Sequence, residues 1–308
     1  MTPDTIEYLR NSLLINNEEA SDKYELSIIH RIVLGLESTD LETVLSVSPY
    51  SVINSTDSFG KTALLWAARR GDAGAVQCLL KHGADPNMAD TMRRSALHLA
   101  ARSRSVPVIE ALIKYGADPS AINFLNEMPA HYACYEENSP RLLKPFLDAK
   151  IDVNQPSKFG RTLLDIAVQW NYPVLVDYLI TKGASTDGSG SNDWTQRPLG
   201  RAIMYNTRGV LEVLLKSYGE LDFVDDNGNN IWHFAAEFGN KDTMACLRDS
   251  PVQGYFADVL NNDSASPMDL ARSREDDKFV KAFEAVLNAR RSTVDLLNKQ
   301  GQTPCAAT

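Results

Sequence analysis

The chain has 308 residues, room for roughly two average domains. Apolar residues make up 44% and charged residues 23%, an ordinary globular balance that excludes wholesale disorder. The formal net charge of −9 argues against general binding to nucleic acid or to an anionic membrane. No segment approaches the ~20 apolar residues of a membrane span. Residues Met1 to Asp4 lack the basic and then apolar order of a signal peptide. Cys78, Cys134, Cys246 and Cys305 show no CxxC spacing, which argues against a zinc site and a disulfide framework. An intracellular setting, cytoplasmic or nuclear, is expected.

The elements follow in chain order. Thr2 as N-cap, Pro3 in the first turn and Ile6, Leu9 and Leu13 on one face predict a helix over 1–14. Asn16 to Lys23 reads as a polar linker. Ser27 to Ile32 resembles the strings described next, in degenerate form. Thr39 to Glu42 reads as a capping box that opens a further helix.

A repeat then organises the chain. Thr62-Ala63-Leu64-Leu65-Trp66-Ala67 is followed 33 residues later by Ser95-Ala96-Leu97-His98-Leu99-Ala100. Further copies begin at Met128, Thr162, Arg197, Asn230 and Ser266. Thr or Ser suits a helix N-cap. Pro129, Pro198 and Pro267 fall one position later, where a missing N–H costs nothing. Gly71 and Gly239 can end this helix in a left-handed conformation, and Asn171 and Asn206 less readily. Pro107, Pro140 and Pro173 start a second helix, on which residues such as Val76, Leu79 and Leu80 are apolar at helical spacing. Each helix is too short to be stable alone, so each copy must cover the next.

These strings resemble the ankyrin repeat. Gly60-Lys61-Thr62, Leu97-His98-Leu99-Ala100-Ala101 and His82-Gly83-Ala84-Asp85-Pro86-Asn87 carry the resemblance best. It implies an all-α solenoid of stacked helix-turn-helix units with projecting hairpin-like loops. Residues 1–23 are then an N-terminal capping helix and linker. Residues 24–287 form about eight repeats, the first and last degenerate. Residues 288–308 form a tail in which Asn298 to Pro304 starts an incomplete repeat. Asp165 and Gly200 stand where the repeat has His, and Met128, Arg197 and Asn230 replace the Thr cap. Irregular arrays of this kind resemble those of multidomain intracellular proteins of filamentous fungi.

Catalytic patterns are missing: there is no GxSxG, HExxH, GxxxxGK[ST] or GxGxxG. His30, His98, His131 and His233 occupy the repeat's own His position, and the resemblance implies that they brace neighbouring loops. Cys78, Cys134 and Cys246 read as small buried hydrophobes. Asp225-Asp226 reads as a solvated charge pair. No enzyme activity, cofactor or metal is expected, although Asp165, His131 and Asp269 would be the polar groups of a hidden active site.

The surface carries the functional expectation. The residue before the loop glycine is Phe59, Met92, Leu125, Phe159 and Trp194 in successive copies. The residue two beyond the small pair of the first helix is Arg70, Ser103, Glu136, Trp170, Tyr205, Phe238 and Arg274. The resemblance implies that such variable positions bind partners. Phe124, Leu125, Tyr135, Phe159, Trp170, Trp194, Met204, Tyr205 and Phe238 are therefore the expected site, a groove of repeats three to six that takes an apolar segment. Residues 57–120 hold nine Lys/Arg against six Asp/Glu, whereas residues 220–284 hold six against fourteen. Arg69, Arg70, Arg93, Arg94 and Arg102 are expected to meet acidic groups of the partner. A monomeric, non-enzymatic scaffold binding a protein or peptide is the leading expectation. Nucleic-acid or acidic-ligand binding through the arginines, or service as an interaction fragment of a larger signalling protein, are the alternatives.

Overall fold

A computed structural model describes residues 24–187, 193–218, 223–250 and 259–299, with residues 290–299 as backbone only. The helix and linker expected over 1–23, and the segment 300–308, lie outside the described residues, as do 188–192 and most of the long connection after Arg248. The chain divides into two compact units, Met1–Leu163 and Leu164–Thr308. Among the described residues there is no strand, only an isolated antiparallel bridge between Ala89 and Ser95 in one projecting loop.

The first unit holds the helices α1 (Ile28–Leu34), α2 (Leu41–Val47), α3 (Tyr50–Ile53), α4 (Ala63–Arg70), α5 (Ala73–Lys81), α6 (Ala96–Arg102), α7 (Val106–Lys114), α8 (Pro129–Glu136) and α9 (Pro140–Asp148). The second holds α10 (Leu163–Gln169), which opens at the division, and α11 (Pro173–Thr181), α12 (Pro198–Met204), α13 (Arg208–Ser217), α14 (Ile231–Phe238), α15 (Lys241–Asp249), α16 (Pro267–Ser273) and α17 (Asp277–Lys299). Apart from the single turn α3, these are paired helices, and the all-α repeat architecture expected from the sequence is present. Since α17 runs to Lys299, Asn298 and Lys299 are helical and do not open a further loop.

Local chemistry sets the helix starts. Thr62 Oγ1 accepts the Leu65 N–H, and Asn230 Oδ1 accepts those of Trp232 and His233, so free first-turn donors are satisfied. Pro129, Pro198 and Pro267 are first residues of their helices. At the helix ends Gly71, Asn171 and Asn206 are left-handed, at φ +70°, +53° and +54°. Gly239 corrects the expectation: its φ of −71° is extended. Glycine is required there by space, because a Cβ would clash with the Ala235 carbonyl and touch Thr243. The Thr39 capping box is also corrected. The N-cap of α2 is Asp40, whose carboxylate accepts the Thr43 N–H at 2.8 Å, and this leaves the Glu42 side chain free to reach another helix.

The second helices supply the core. Val76, Leu79, Val108, Ile109, Leu112, Leu142, Leu143 and Phe146 are fully buried in the first unit, and Leu175, Val176, Leu179, Val210 and Leu214 in the second. Each such side chain contributes about 1.5–3 kcal/mol by leaving water, which a two-turn helix obtains only from its neighbours.

Polar braces fix the stacking. His30, His98 and His233 each donate Nε2–H to the carbonyl of a later loop, at Lys61 (2.9 Å), Glu127 (2.9 Å) and Ala265 (3.1 Å). A carbonyl only accepts, so each Nδ1 carries the lone pair and accepts a backbone N–H in its own helix start. The bracing role implied by the resemblance is present at these three. Where Asp165 replaces His, its carboxylate pairs with Arg201 of the next repeat at 2.6 Å.

Candidate functional site

Each loop tip is built around one acceptor side chain. Asp57 accepts the N–H groups of Phe59 and Lys61, Asp90 those of Met92 and Arg94, and Asn123 those of Leu125 and Glu127. In the second unit Asp225 and Asn261 do the same. Asp225 is thus a loop organiser, which corrects its reading as a merely solvated charge. This acceptor recurs with the repeat, so the signal was in the sequence. Neighbouring tips are then joined by main-chain bonds, Thr91 N–H to Phe59, Phe124 N–H to Met92, and Lys158 N–H to Leu125.

That ladder presents apolar side chains to solvent along the first unit. Phe59, Met92, Phe124, Leu125 and Phe159 are all exposed, Phe159 to 69%. Phe59 also stacks on Tyr24 at 5.5 Å and lies under the Lys61 ammonium. Tyr135 is half-buried, its hydroxyl donating to Glu127 at 3.1 Å. Burial and the Glu127 charge push its phenol up to about 12.

The arginines separate into two groups. Arg94 grips the buried Asp90 carboxylate with Nε and Nη2 at 2.9 and 2.7 Å. Arg70 donates to the Val33 carbonyl in the last turn of α1. Arg94 is held by its own chain, so its expected place as a free contact for an acidic partner is corrected; Arg70, with one bond to main chain, remains exposed. Arg93, over the Phe124 ring, and Arg102 remain exposed. Arg69 lies 5.9 Å over the Trp66 ring, and its buried Nε has no acceptor among the described residues. Burial lowers the Arg69 pKa, and the charges of Arg102 and Arg94 lower it further. Lys61 is lowered first by burial; the Asp57 and Asp90 carboxylates oppose this, and Arg69 and Arg94 add to it more weakly. Arg69, Arg102 and Lys61 therefore form a cationic group beside the Arg94–Asp90 pair, with the Arg69 Nε unsatisfied.

In the second unit Trp170, Tyr205 and Phe238 sit at one repeat position, just past or at the ends of α10, α12 and α14. They are 53%, 48% and 37% exposed. Met204 beside them is half-buried. Arg274, at the same position, donates to the Ala236 and Gly239 carbonyls at 3.1 and 2.7 Å. It therefore serves the preceding helix as Arg70 does in the first unit.

Trp194 is the main correction. It is 2% exposed, in a short 3-10 turn (Trp194–Gln196), with Nε1–H donating to the Asn229 carbonyl at 2.9 Å. Its ring meets Phe223 edge-on at 4.9 Å and Phe234 at 6.1 Å. The fifth copy has folded its tip inward, and Trp194 fills the core.

Two of the three polar groups that a hidden active site would use are committed elsewhere. Asp165 pairs with Arg201, Asp269 caps α16 against Ser266, and His131 is buried. Cys134 is fully buried and its thiol is pushed up by burial alone. Cys246 is buried as expected, but Cys78 is not: its S–H points at the Glu42 carboxylate at 3.0 Å. No described helix is long and apolar enough to cross a membrane.

Known proteins share this pattern. A family model described as ankyrin repeats matches residues 13–123 and 130–223. The human neurogenic locus notch homolog protein 1 is 32% identical over 128 residues, 42% of this chain and 5% of that protein. Its Xenopus tropicalis counterpart is 30% identical over the same length. The match thus spans only a small part of these relatives. The crystal structure of the ankyrin repeat domain of Bcl-3, titled a unique member of the IkappaB protein family, superposes with a TM-score of 0.61 at 24% identity. It covers 75% of this chain and 99% of that domain. With the family model matching most of the chain, and with its helix pairs, loop tips and histidine braces in place, the protein belongs to the ankyrin repeat family.

Proposed function

We propose that the chain is a protein-binding scaffold that seats an apolar segment of its partner on Trp170, Tyr205 and Phe238. Ankyrin repeats are in general an interaction fold, and the observation that carries the finer reading is this row. Three large aromatic side chains occupy one repeat position with a third or more of their surface open to solvent, although Phe238 also packs against the buried Phe234 ring at 4.7 Å. Contiguous exposed apolar surface marks interaction sites, and Trp and Tyr dominate binding hot spots. The row stands on helix ends held by the packed unit, so little ordering cost accompanies binding. Phe124, Leu125 and Phe159 on the first unit's loop tips offer a second apolar strip.

An acidic group of the partner is the second element of the proposal, favoured by the unpaired Arg69 Nε beside Arg102 and Lys61. Such a contact steers association and weakens with salt. Nucleic acid is disfavoured because Arg70 and Arg94 are already engaged within the chain.

Affinity capture from source-cell extract tests this, with wild type beside a Trp170→Ala/Tyr205→Ala/Phe238→Ala variant of equal folding by circular dichroism. A protein held by wild type and lost by the variant supports the site. A specific protein held equally by both refutes it.

A further inference from the structure

We propose that Glu42, Cys78 and His82 bind a zinc ion, with water as the fourth ligand. Cys78 lies in α5 and His82 directly follows it, so their four-residue separation puts both on one helical face. Glu42 comes from α2 of the preceding repeat and faces them. One donor atom from each residue lies within 4.8 Å of the others. Cys78 Sγ is 3.0 Å from Glu42 Oε2, and His82 Nε2 is 3.6 Å from Glu42 Oε1. Zinc bond lengths of about 2.0–2.3 Å in a tetrahedron place ligand atoms roughly 3.3–3.7 Å apart. The His82–Glu42 separation already lies in that range, the Cys78–Glu42 separation falls slightly short of it, and no pair of donors is more than 4.8 Å apart.

The imidazole is already oriented for this. His82 Nδ1 lies 2.9 Å from the Cys78 carbonyl. A carbonyl cannot donate, so the proton sits on Nδ1 and the Nε2 lone pair faces Glu42 and Cys78. This is the outer-shell arrangement that fixes the tautomer of metal-binding histidines. A thiolate, an imidazole and a carboxylate together suit zinc and disfavour magnesium and calcium, which prefer oxygen alone. Three protein ligands plus water is an open zinc site. Coordination releases the Cys78 thiol proton to solvent and replaces the S–H to carboxylate bond with two bonds to the metal.

The chain contains its own comparison. Cys246 occupies the position of Cys78 one unit later, and Glu212 of the preceding repeat approaches it at 4.0 Å. Ser250 stands where His82 does, and Arg208 holds Glu212 at 2.9 Å. The second pair lacks the third donor, and its carboxylate is already paired with a cation. Zinc would also meet a structural need, because α2 buries only Leu45. An ion bridging α2 and α5 would fasten the degenerate first repeat. Spacing within the sequence concealed the site: a search for CxxC does not find a Cys-x3-His helix face completed by a carboxylate 36 residues away.

The test uses the full chain freed of metal by a chelator. Cobalt(II) titration of wild type is expected to give one equivalent of a thiolate charge-transfer band with the visible bands of a four-coordinate site. Zinc is expected to displace it and to raise the melting temperature. Cys78→Ser is expected to remove the band. Cys78→Ser and His82→Ala should each weaken zinc binding at least about tenfold, the low end of losing even an outer-shell partner. Glu42→Gln should weaken it too; Glu42 is exposed, so this variant keeps its fold and can carry the test if another does not. Cys246→Ser is expected to behave like wild type. No cobalt band in wild type, a band that survives Cys78→Ser, or zinc affinity unchanged in Glu42→Gln would overturn the proposal.

Discussion

The carbonyl oxygen of Trp194 rests against Gly200 at the place where a side chain would begin. The repeat normally has a histidine there, and its loss is the condition for the inward turn of residues 194–196. Trp194→Ala is therefore expected to cost about 3–5 kcal/mol, the range for removing a buried large aromatic. Gly200→Ala should destabilise as well, by about 1–3 kcal/mol or more, because a methyl group must displace main chain. Denaturant unfolding measures both. A Trp194→Ala variant as stable as wild type would return the residue to the surface.

The aromatic row should behave in the opposite way. Trp170→Ala and Tyr205→Ala remove exposed side chains, so each should change stability by no more than about 0.5 kcal/mol. Each should weaken partner binding by roughly 2 kcal/mol or more if it is a hot spot. Thermal melts and a titration of the captured partner separate the two effects. Large stability losses would show that these rings pack and do not dock.

The contrast between Trp194 and Trp170 shows what could be read from the sequence. Helix starts, prolines and second-helix leucines obey rules that act within a turn or two, so the repeat was legible from residues alone. The exposure of Trp170, Tyr205 and Phe238 followed from their place in that repeat. Trp194 occupies an equally variable position, and the missing loop glycine does not set it apart, since Arg93 and Asn126 replace it in tips that project. Gly200, at the repeat's histidine position, was the available signal for an inward fold. The Arg94–Asp90 pair was within reach as an i, i+4 contact. Glu42 meeting Cys78 was not, because it depends on how two repeats stack and on Asp40 taking the N-cap.

Stability is expected to depend on pH through the bracing histidines. Burial drives the His98 pKa from 6.5 down to about 4, with the Glu127 carbonyl opposing it. His30, His131 and His233 are lowered as well, each first by burial. Between the unfolded and folded values the unfolded chain binds more protons, so stability rises with pH there. The contribution is fully present above about 6.5 and is lost as pH falls toward 4, of the order of 3 kcal/mol for His98. Urea midpoints across this window should fall for wild type, and more gently for His98→Gln. Identical slopes would remove His98 from the explanation.

Asp90 and Arg94 make the loop tip between Phe59 and Phe124 a single unit. Burial raises the Asp90 carboxyl, but the side-chain and main-chain bonds from Arg94 outweigh it and hold the group below its usual range. A depressed carboxylate stabilises the fold above its unfolded value, and that stability is lost as pH falls through the folded one. Asp90→Ala removes an acceptor shared by two main-chain N–H groups and the guanidinium, and should cost about 1–3 kcal/mol. Asp90→Asn keeps the main-chain acceptor, as Asn123 and Asn261 do in their loops, and should cost less. A double-mutant cycle with Arg94→Ala isolates the ion pair. Strong coupling would mean that Arg94 is a structural residue and that the anion-seeking charge of this face belongs to Arg69 and Arg102. Coupling near zero would free Arg94 to join them, and the affinity for an acidic partner should then fall in Arg94→Ala as well.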